Sequence, residues 1–412
     1  IEDLENFSKN YASSQYADDA LYELGNTYII ENKVDKATQA FNKLIATHKT
    51  SSYLAKAILK QGLIHYNNSK EDLAIAKFKK VAADFPNSPE ALEAVSTARL
   101  IYIENGRVNE YANWVKTLNF IEVSNADLDD TSYEAAEKQY VMNNTKQAIS
   151  GFVQYISSFP NGIHALKAHF YLAQLYYADG LENNAIKHYE FVIEKPRNEF
   201  SEQALARLGQ VYLKAKTYDK AIPILKRLET EADFPQNVIF AQSNLMKSFY
   251  EKSDFTNAVA YAEKVLSNTK IEERIKNDAQ IIVARAAMKT NDEVKAKQAY
   301  QNLQKSAKGE LAAEALYYDA YFKNKDGKFA DSNKIVEKYA KDYSGYEFFA
   351  AKSLVVMAKN YYQLKDSFQA TSILQMVMNE YKELPDVVAE AKAELEQIKL
   401  EESKRNSSVK EK

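Results

Sequence analysis

The chain has 412 residues, 46% of them apolar and 27% charged, with a net charge of −3. So many residues exceed one ordinary globular core, and near-neutral charge removes the electrostatic case for nucleic acid, which leaves a basic stripe on its partners. The absence of cysteine excludes disulfides, thiolate metal sites and cysteine nucleophiles, and ten Gly with seven Pro favour helices over hairpins.

Taken from the start, Ile1–Tyr11 reads as one helix with Leu4, Phe7 and Tyr11 on a face, the trailing helix (residues 1–16) of a repeat cut from a longer array. From residue 17 a small side chain then returns at 36 to 38 residue steps: Ala37, Ala74, Tyr111, Ala148, Ala185, Ala221, Ala258, Ala296, Ser332 and Ala370, with only Tyr111 breaking the pattern. Four residues after each comes Phe41, Phe78, Val115, Phe152, Tyr189, Leu225, Ala262, Tyr300, Val336 or Leu374. A fixed period of this length marks stacked repeats. Each repeat reads as helix A followed by helix B. In Leu166–Arg197, Leu172, Ala173 and Tyr176 form one stripe, Asp179-Gly180 ends helix A, and Ala185, Ile186, Tyr189, Val192 and Ile193 line helix B before Pro196. "LYELGNTY" (from Leu21), "LARLGQVY" (from Leu205) and "VVMAKNYY" (from Val355) repeat the layout.

Small residues inside helix A (Gly25, Gly62, Ala136, Ala173, Gly209, Ala284, Ala320, Ala358) oppose those of helix B, and the large ones fill the space between layers. The third repeat departs: Tyr111 stands for Ala, Arg99 for the small residue of helix A, and the single Trp, Trp114, lies in helix B. The polar stretch Glu122–Asp130 reads as a connector, either inside a relaxed layer, the favoured reading, or as a hinge, a seam near 123–130. Pro223 bends helix B of the sixth repeat. Asp386–Glu401 reads as a polar-faced cap, and 402–412 as a disordered tail.

These small, aromatic and proline positions resemble the tetratricopeptide repeat over nearly the whole chain, 17–401, with two to four extra residues after helix B. The fold expected is all-α: a right-handed superhelical solenoid of about ten antiparallel helix pairs with a C-terminal capping helix. Aromatic-Pro-Asn turns such as "DFPNSPEA" (Asp84–Ala91) and "SFPNGIHA" (Ser158–Ala165) are similar to those of bacterial envelope members, which implies a periplasmic or outer-membrane-associated protein; a cytoplasmic one is the alternative.

No phosphate loop, metalloprotease motif, nucleophile elbow or calcium loop is present, so no catalytic residue, metal site or cofactor is expected. His164 and His169, five apart, face different ways, His65 reads as near-core, and Asp130, Glu134 and Glu137 read as a solvated helix face. No stretch is long and apolar enough to span a bilayer.

Stacked repeats present extended surfaces to other molecules, so the expected function is a non-enzymatic scaffold with a protein or peptide partner and no nucleic acid. The resemblance places the concave wall on helix A. One row there is Tyr66, Tyr140, Tyr177, Tyr250 and Tyr362, and a second includes Tyr22, Tyr133, Phe170 and Tyr317; both suit packing as well as peptide recognition. Glu137 early and Lys247, Arg285 and Lys359 later suggest a track that changes sign along its length. The clamp for C-terminal carboxylates needs lysine in the second row, which has none. An accessory substrate-delivery module of a larger envelope enzyme or transport system, or a cytosolic regulator, is the alternative function.

Overall fold

In a computed structural model, which describes residues 1–410 with side chains through Arg405, every regular element among the described residues is an α-helix, 22 in all. The chain divides into two compact units, Ile1–Pro196 and Arg197–Lys412. The first unit holds α1 (Glu2–Asn10), α2 (Ala17–Ile30), α3 (Val34–Thr47), α4 (Leu54–Asn67), α5 (Glu71–Asp84), α6 (Pro89–Glu104), α7 (Val108–Val115), α8 (Asn125–Val141), α9 (Thr145–Ser158), α10 (Ala165–Ala178) and α11 (Glu182–Glu194). The second holds α12 (Ser201–Lys214), α13 (Tyr218–Glu231), α14 (Pro235–Glu251), α15 (Phe255–Ser267), α16 (Glu273–Lys289), α17 (Glu293–Leu303), α18 (Gly309–Lys325), α19 (Phe329–Asp342), α20 (Glu347–Gln363), α21 (Ser367–Glu380) and α22 (Pro385–Lys410). Within each unit, consecutive helices pack as pairs, helix A on helix B. Ten pairs, one helix before and one after, match the expected repeat count.

The recurrent small residues sit where the period puts them. Ala37, Ala74, Ala148, Ala185, Ala221, Ala258, Ala296 and Ala370 are all fully buried. The glycines of helix A meet the large residue of helix B: a methyl on Gly62 would lie 2.5 Å from Cε1 of Phe78, and one on Gly209 would lie 3.0 Å from Cδ2 of Leu225. Ser332, the polar exception, donates to the Ala320 carbonyl at 2.7 Å and accepts from Asn360 at 2.8 Å, so its hydroxyl is satisfied in the core.

Every A–B turn contains one residue with positive φ: Asn32, Ser69, Gly106, Asn143, Gly180, Lys216, Ser253, Asn291, Gly327 and Lys365. The next residue's N–H reaches back to close the helix end, as Lys33 to the Tyr28 carbonyl (2.7 Å) and Thr217 to that of Tyr212 (2.9 Å). This is the hydrogen-bonding of a Schellman cap, and it recurs although only three of the ten residues are glycine.

The third repeat is distorted as its sequence suggests. Tyr111 is buried at the A–B contact with its ring 6.0 Å from that of Tyr102, and α7 has 8 residues where the other B helices have 11 to 14. Helix is replaced by an irregular segment that lays Leu118, Phe120, Ile121 and Val123 on the core of α5 and α6. The stretch 122–130 is not a connector throughout, because α8 begins inside it. Ser124 Oγ accepts from the Asp127 N–H at 3.1 Å and Asp127 accepts from the Ser124 N–H at 2.8 Å, a capping box.

Tyr11 is 61% exposed beyond the end of α1, which is anchored instead by Tyr28 donating to Glu5 and by Lys43 donating to the Ser8 carbonyl at 3.0 Å. At the other end, where the sequence reads 402–412 as a tail, α22 runs Pro385–Lys410, and Arg405 pairs with Glu402 at i, i+3. Residues 411 and 412 of that tail lie outside the described residues. Pro223 sits within α13 without ending it.

Candidate partner-binding face

Within each unit, bonds from α4, α6 and α8 in the first and from α12, α14, α16, α18 and α20 in the second reach the A helix one repeat on. In the first unit Arg99 of α6 reaches α8, pairing with Glu134 at 2.6 Å and Thr131 at 3.0 Å. The residue that breaks the small-side-chain rule in helix A therefore ties two layers together. Beside it, Glu104 accepts from Tyr66 of α4 at 2.9 Å and from Lys138 of α8 at 2.8 Å. The hydrogen bond from Lys138, then that from Tyr66, holds the Glu104 carboxyl below its ordinary value.

Glu137 of α8 takes the Tyr133 hydroxyl at 2.7 Å and Lys167 of α10 at 2.9 Å. Burial alone would raise its pKa, but these two bonds outweigh burial and lower it. Asp130 pairs with His164 at 2.8 Å, so none of the three acids expected to be merely solvated lacks a partner. Tyr140 donates to Gln174 of α10 at 3.0 Å and stacks on Tyr171 with ring centres 4.5 Å apart.

The second unit repeats the design. Lys247 of α14 pairs with Asp278 of α16. Arg285 of α16 grips Glu314 of α18 with two bonds, 2.9 and 2.5 Å, and Tyr300 donates to the same carboxylate at 2.9 Å. Glu314 is buried at 2% exposure and its hydrogen bond raises the Arg285 pKa above the ordinary value. Lys359 of α20 reaches Glu390 at 3.1 Å and Glu394 at 3.6 Å on α22, and Tyr362 donates to Glu401 at 2.7 Å.

The sequence-predicted residues thus separate into three groups. Tyr133, Phe170, Tyr317 and Tyr362 are buried and pack. Glu137, Lys247, Arg285 and Lys359 are joined to opposite charges on neighbouring helices, so the expected sign change along the track is neutralised locally. Tyr22, Tyr66, Tyr140, Tyr177 and Tyr250 are half-buried, each leaving part of a ring at the surface of its own unit. Tyr22 stacks on Tyr53 with ring centres 4.9 Å apart, and Tyr250 meets Phe255 edge-on at 5.6 Å.

Two features escaped the sequence reading. The ladder itself was legible only as acids and bases recurring at helix-A positions one repeat apart. The other is a histidine pair, His169 of α10 and His188 of α11, with Nδ1 atoms 3.0 Å apart. Burial pushes both down to about 4, so both rings are neutral near pH 7, one donating and one accepting. His65 is half-buried, and burial lowers its pKa too. Among the described residues no group of three or more His, Cys, Asp or Glu is placed to hold a metal ion, and no helix is long and apolar enough to cross a membrane.

The sequence profile of the tetratricopeptide repeat matches residues 19–51 and 56–88, the helix pairs α2–α3 and α4–α5. No curated protein sequence matches the chain. Among solved structures the chain is similar to pilF of Pseudomonas aeruginosa, 18% identical, covering 54% of this chain and 97% of that one with a TM-score of 0.34. It is similar to yeast Tom70, 13% identical over 95% of this chain and 97% of that one, TM-score 0.34. A third is a tetratricopeptide repeat protein from Parabacteroides merdae, 14% identical over 64% and 98% of the two chains, TM-score 0.26. Residues 19–51 and 56–88 each carry a tetratricopeptide repeat, as the periodic residues there imply.

Proposed function

We propose that this chain is a non-enzymatic interaction scaffold that holds an extended segment of a partner protein against its A helices, and that it works in the bacterial envelope. Tetratricopeptide repeats are interaction scaffolds, and stacked repeats of this kind present long surfaces rather than enclosed sites. The observation that carries the reading is the row of half-buried tyrosines, Tyr66, Tyr140 and Tyr177 in the first unit and Tyr250 in the second. A ring held by stacking and by a hydroxyl bond presents apolar area with little side-chain entropy left to lose on binding. The aromatic-Pro-Asn turns support the envelope location.

The test uses Tyr66→Ser, Tyr140→Ser and Tyr177→Ser together, all within one compact unit. Partner recovery from cells of the source organism is compared with thermal midpoint, and the cells are separated into periplasmic and cytosolic fractions. Loss of the partner with a midpoint lowered by only a few degrees supports the reading. Full partner recovery, or collapse of the fold, shows that the rings only pack, and a cytosolic protein favours a regulator over an envelope scaffold.

A further inference from the structure

The shortened α7 leaves a cleft between the B helices α7 and α9, floored by α8, with a volume of about 690 Å³. The cause is local. Tyr111 takes the A–B contact, α7 ends after two turns, and the following segment turns toward α5 and α6, so no helix B fills the layer beside α9. Its size is within the range of clefts that bind small ligands and short peptides.

The lining is unusual in kind. Asn109 and Asn113 stand on α7, Gln147, Ser150 and Gln154 on α9, and Ser132 on α8. Asn109, Asn113, Gln147, Ser150 and Gln154 are exposed and Ser132 is half-buried, and among the described residues none of the six is tied to another protein group. The only charges at the cleft are Glu104, already joined to Lys138 and Tyr66, and Lys116 at the end of α7.

Carboxamides offer a donor and an acceptor each, the same pair that every peptide unit presents. Spacing agrees. Asn109 and Asn113 are four residues apart on a helix, about 6 Å, and same-side peptide groups of an extended chain recur about every 6.6 Å. Sugars favour an open aromatic face; of the two rings at the cleft, Tyr155 is 1% exposed with its hydroxyl on Asp129, and the half-buried Phe159 stacks on Tyr155 with ring centres 5.8 Å apart.

We infer that this cleft binds a short extended peptide segment through its main-chain amides, its side chains small and uncharged except for one acidic residue beside Lys116. It is a second site on the helix-B side of the first unit, independent of the tyrosine row. Main-chain recognition makes the site tolerant of sequence, as when an extended peptide pairs with a sheet edge.

The chain has no cysteine, so Val153→Cys, exposed on α9 beside the cleft but outside its lining, gives one attachment point for an environment-sensitive fluorophore, and Ala46→Cys, exposed on α3 of the same unit, gives a control. The probes are a pool of hexapeptides drawn from Ser, Thr, Asn, Gly and Ala ending in Asp, the same pool N-methylated at alternate amides, and a glucose oligosaccharide series. A saturable emission change at position 153 but not 46, weakened at least tenfold by N-methylation and by Gln147→Ala with Gln154→Ala at an unchanged thermal midpoint, is the expected result. No saturable change, equal binding of the N-methylated pool, or a response to the oligosaccharides alone overturns the inference.

Discussion

Gly62→Ala separates two effects of known and opposite sign. In the middle of α4, replacing glycine by alanine favours the helix by about 1 kcal/mol. Against this, the new methyl would stand 2.5 Å from Cε1 and 2.9 Å from Cδ1 of Phe78, a ring with no exposed surface. Carbon atoms rest about 3.5 to 4.0 Å apart, so ring or helix must move by about 1 Å, and such overpacking costs about 1–3 kcal/mol. The net expectation is a loss of about 1 kcal/mol. Phe78→Leu removes the ring and leaves an arrangement like Gly209 over Leu225, where the close atom is the tip of a flexible side chain. In that background Gly62→Ala should stabilise, giving a coupling of about 2 kcal/mol between the two sites. Because stacks of repeats need not unfold in one step, the assay is native-state hydrogen exchange at the amides of α4 and α5. A gain in protection from Gly62→Ala with Phe78 intact, or a coupling below about 0.5 kcal/mol, would falsify the proposed contact between layers.

Lys216 holds a left-handed conformation, which costs an ordinary residue about 1–2 kcal/mol, while glycine pays about 0.5–1 kcal/mol in entropy. Lys216→Gly should therefore raise the thermal midpoint by a few degrees, and Asn32→Gly, replacing a residue that tolerates the conformation, should leave it nearly unchanged. His169 and His188 are pushed down to about 4 by burial, so the unfolded chain binds protons first as pH falls. Their contribution is complete above about pH 6.5 and disappears between there and about 4; His188→Asn should flatten the fall in stability over that window, measured by denaturant titration at each pH. Arg285→Met strands the Glu314 carboxylate, 2% exposed, and should cost about 3 kcal/mol, whereas Glu314→Gln leaves an arginine whose side chain is 41% exposed and should cost less. Equal losses in a denaturant series would contradict that asymmetry.

The fold was legible because the same packing problem is solved ten times. A small residue at the A–B contact and a large one a turn later must recur, and they do so at Ala37 and Phe41, Ala148 and Phe152, and Ala370 and Leu374. The turns hid themselves: Lys216, Ser69 and Lys365 carry no left-handed signal, since the cap's backbone hydrogen bonds hold whatever residue stands there. The start of α8 was in view, as Ser124-x-x-Asp127 is the capping pattern, but acidic residues made it read as a connector. The tyrosine rows were found as positions, yet exposure was beyond sequence. Tyr133 and Tyr140 lie on one face of α8, two turns apart, and whether a ring is covered depends on what the next repeat places over it, His164 in the case of Tyr133.

Pairing between the A helices also bears on what kind of partner the proposed face would hold. With Glu137 on Lys167, Lys247 on Asp278, Arg285 on Glu314 and Lys359 on Glu390, the candidate charges are occupied in the absence of partner. A partner that recruited them would first have to break these bonds, and recognition by rings avoids that cost. Binding through Tyr66, Tyr140 and Tyr177 should accordingly depend little on salt, changing less than about threefold as ionic strength rises from about 0.05 to about 0.5 M, across which the screening length falls severalfold. Titration of the recovered partner at the two salt concentrations reads this directly. Affinity that drops by a factor of ten or more would mean that the ladder opens on binding and that its charges, not the tyrosines, make the contact.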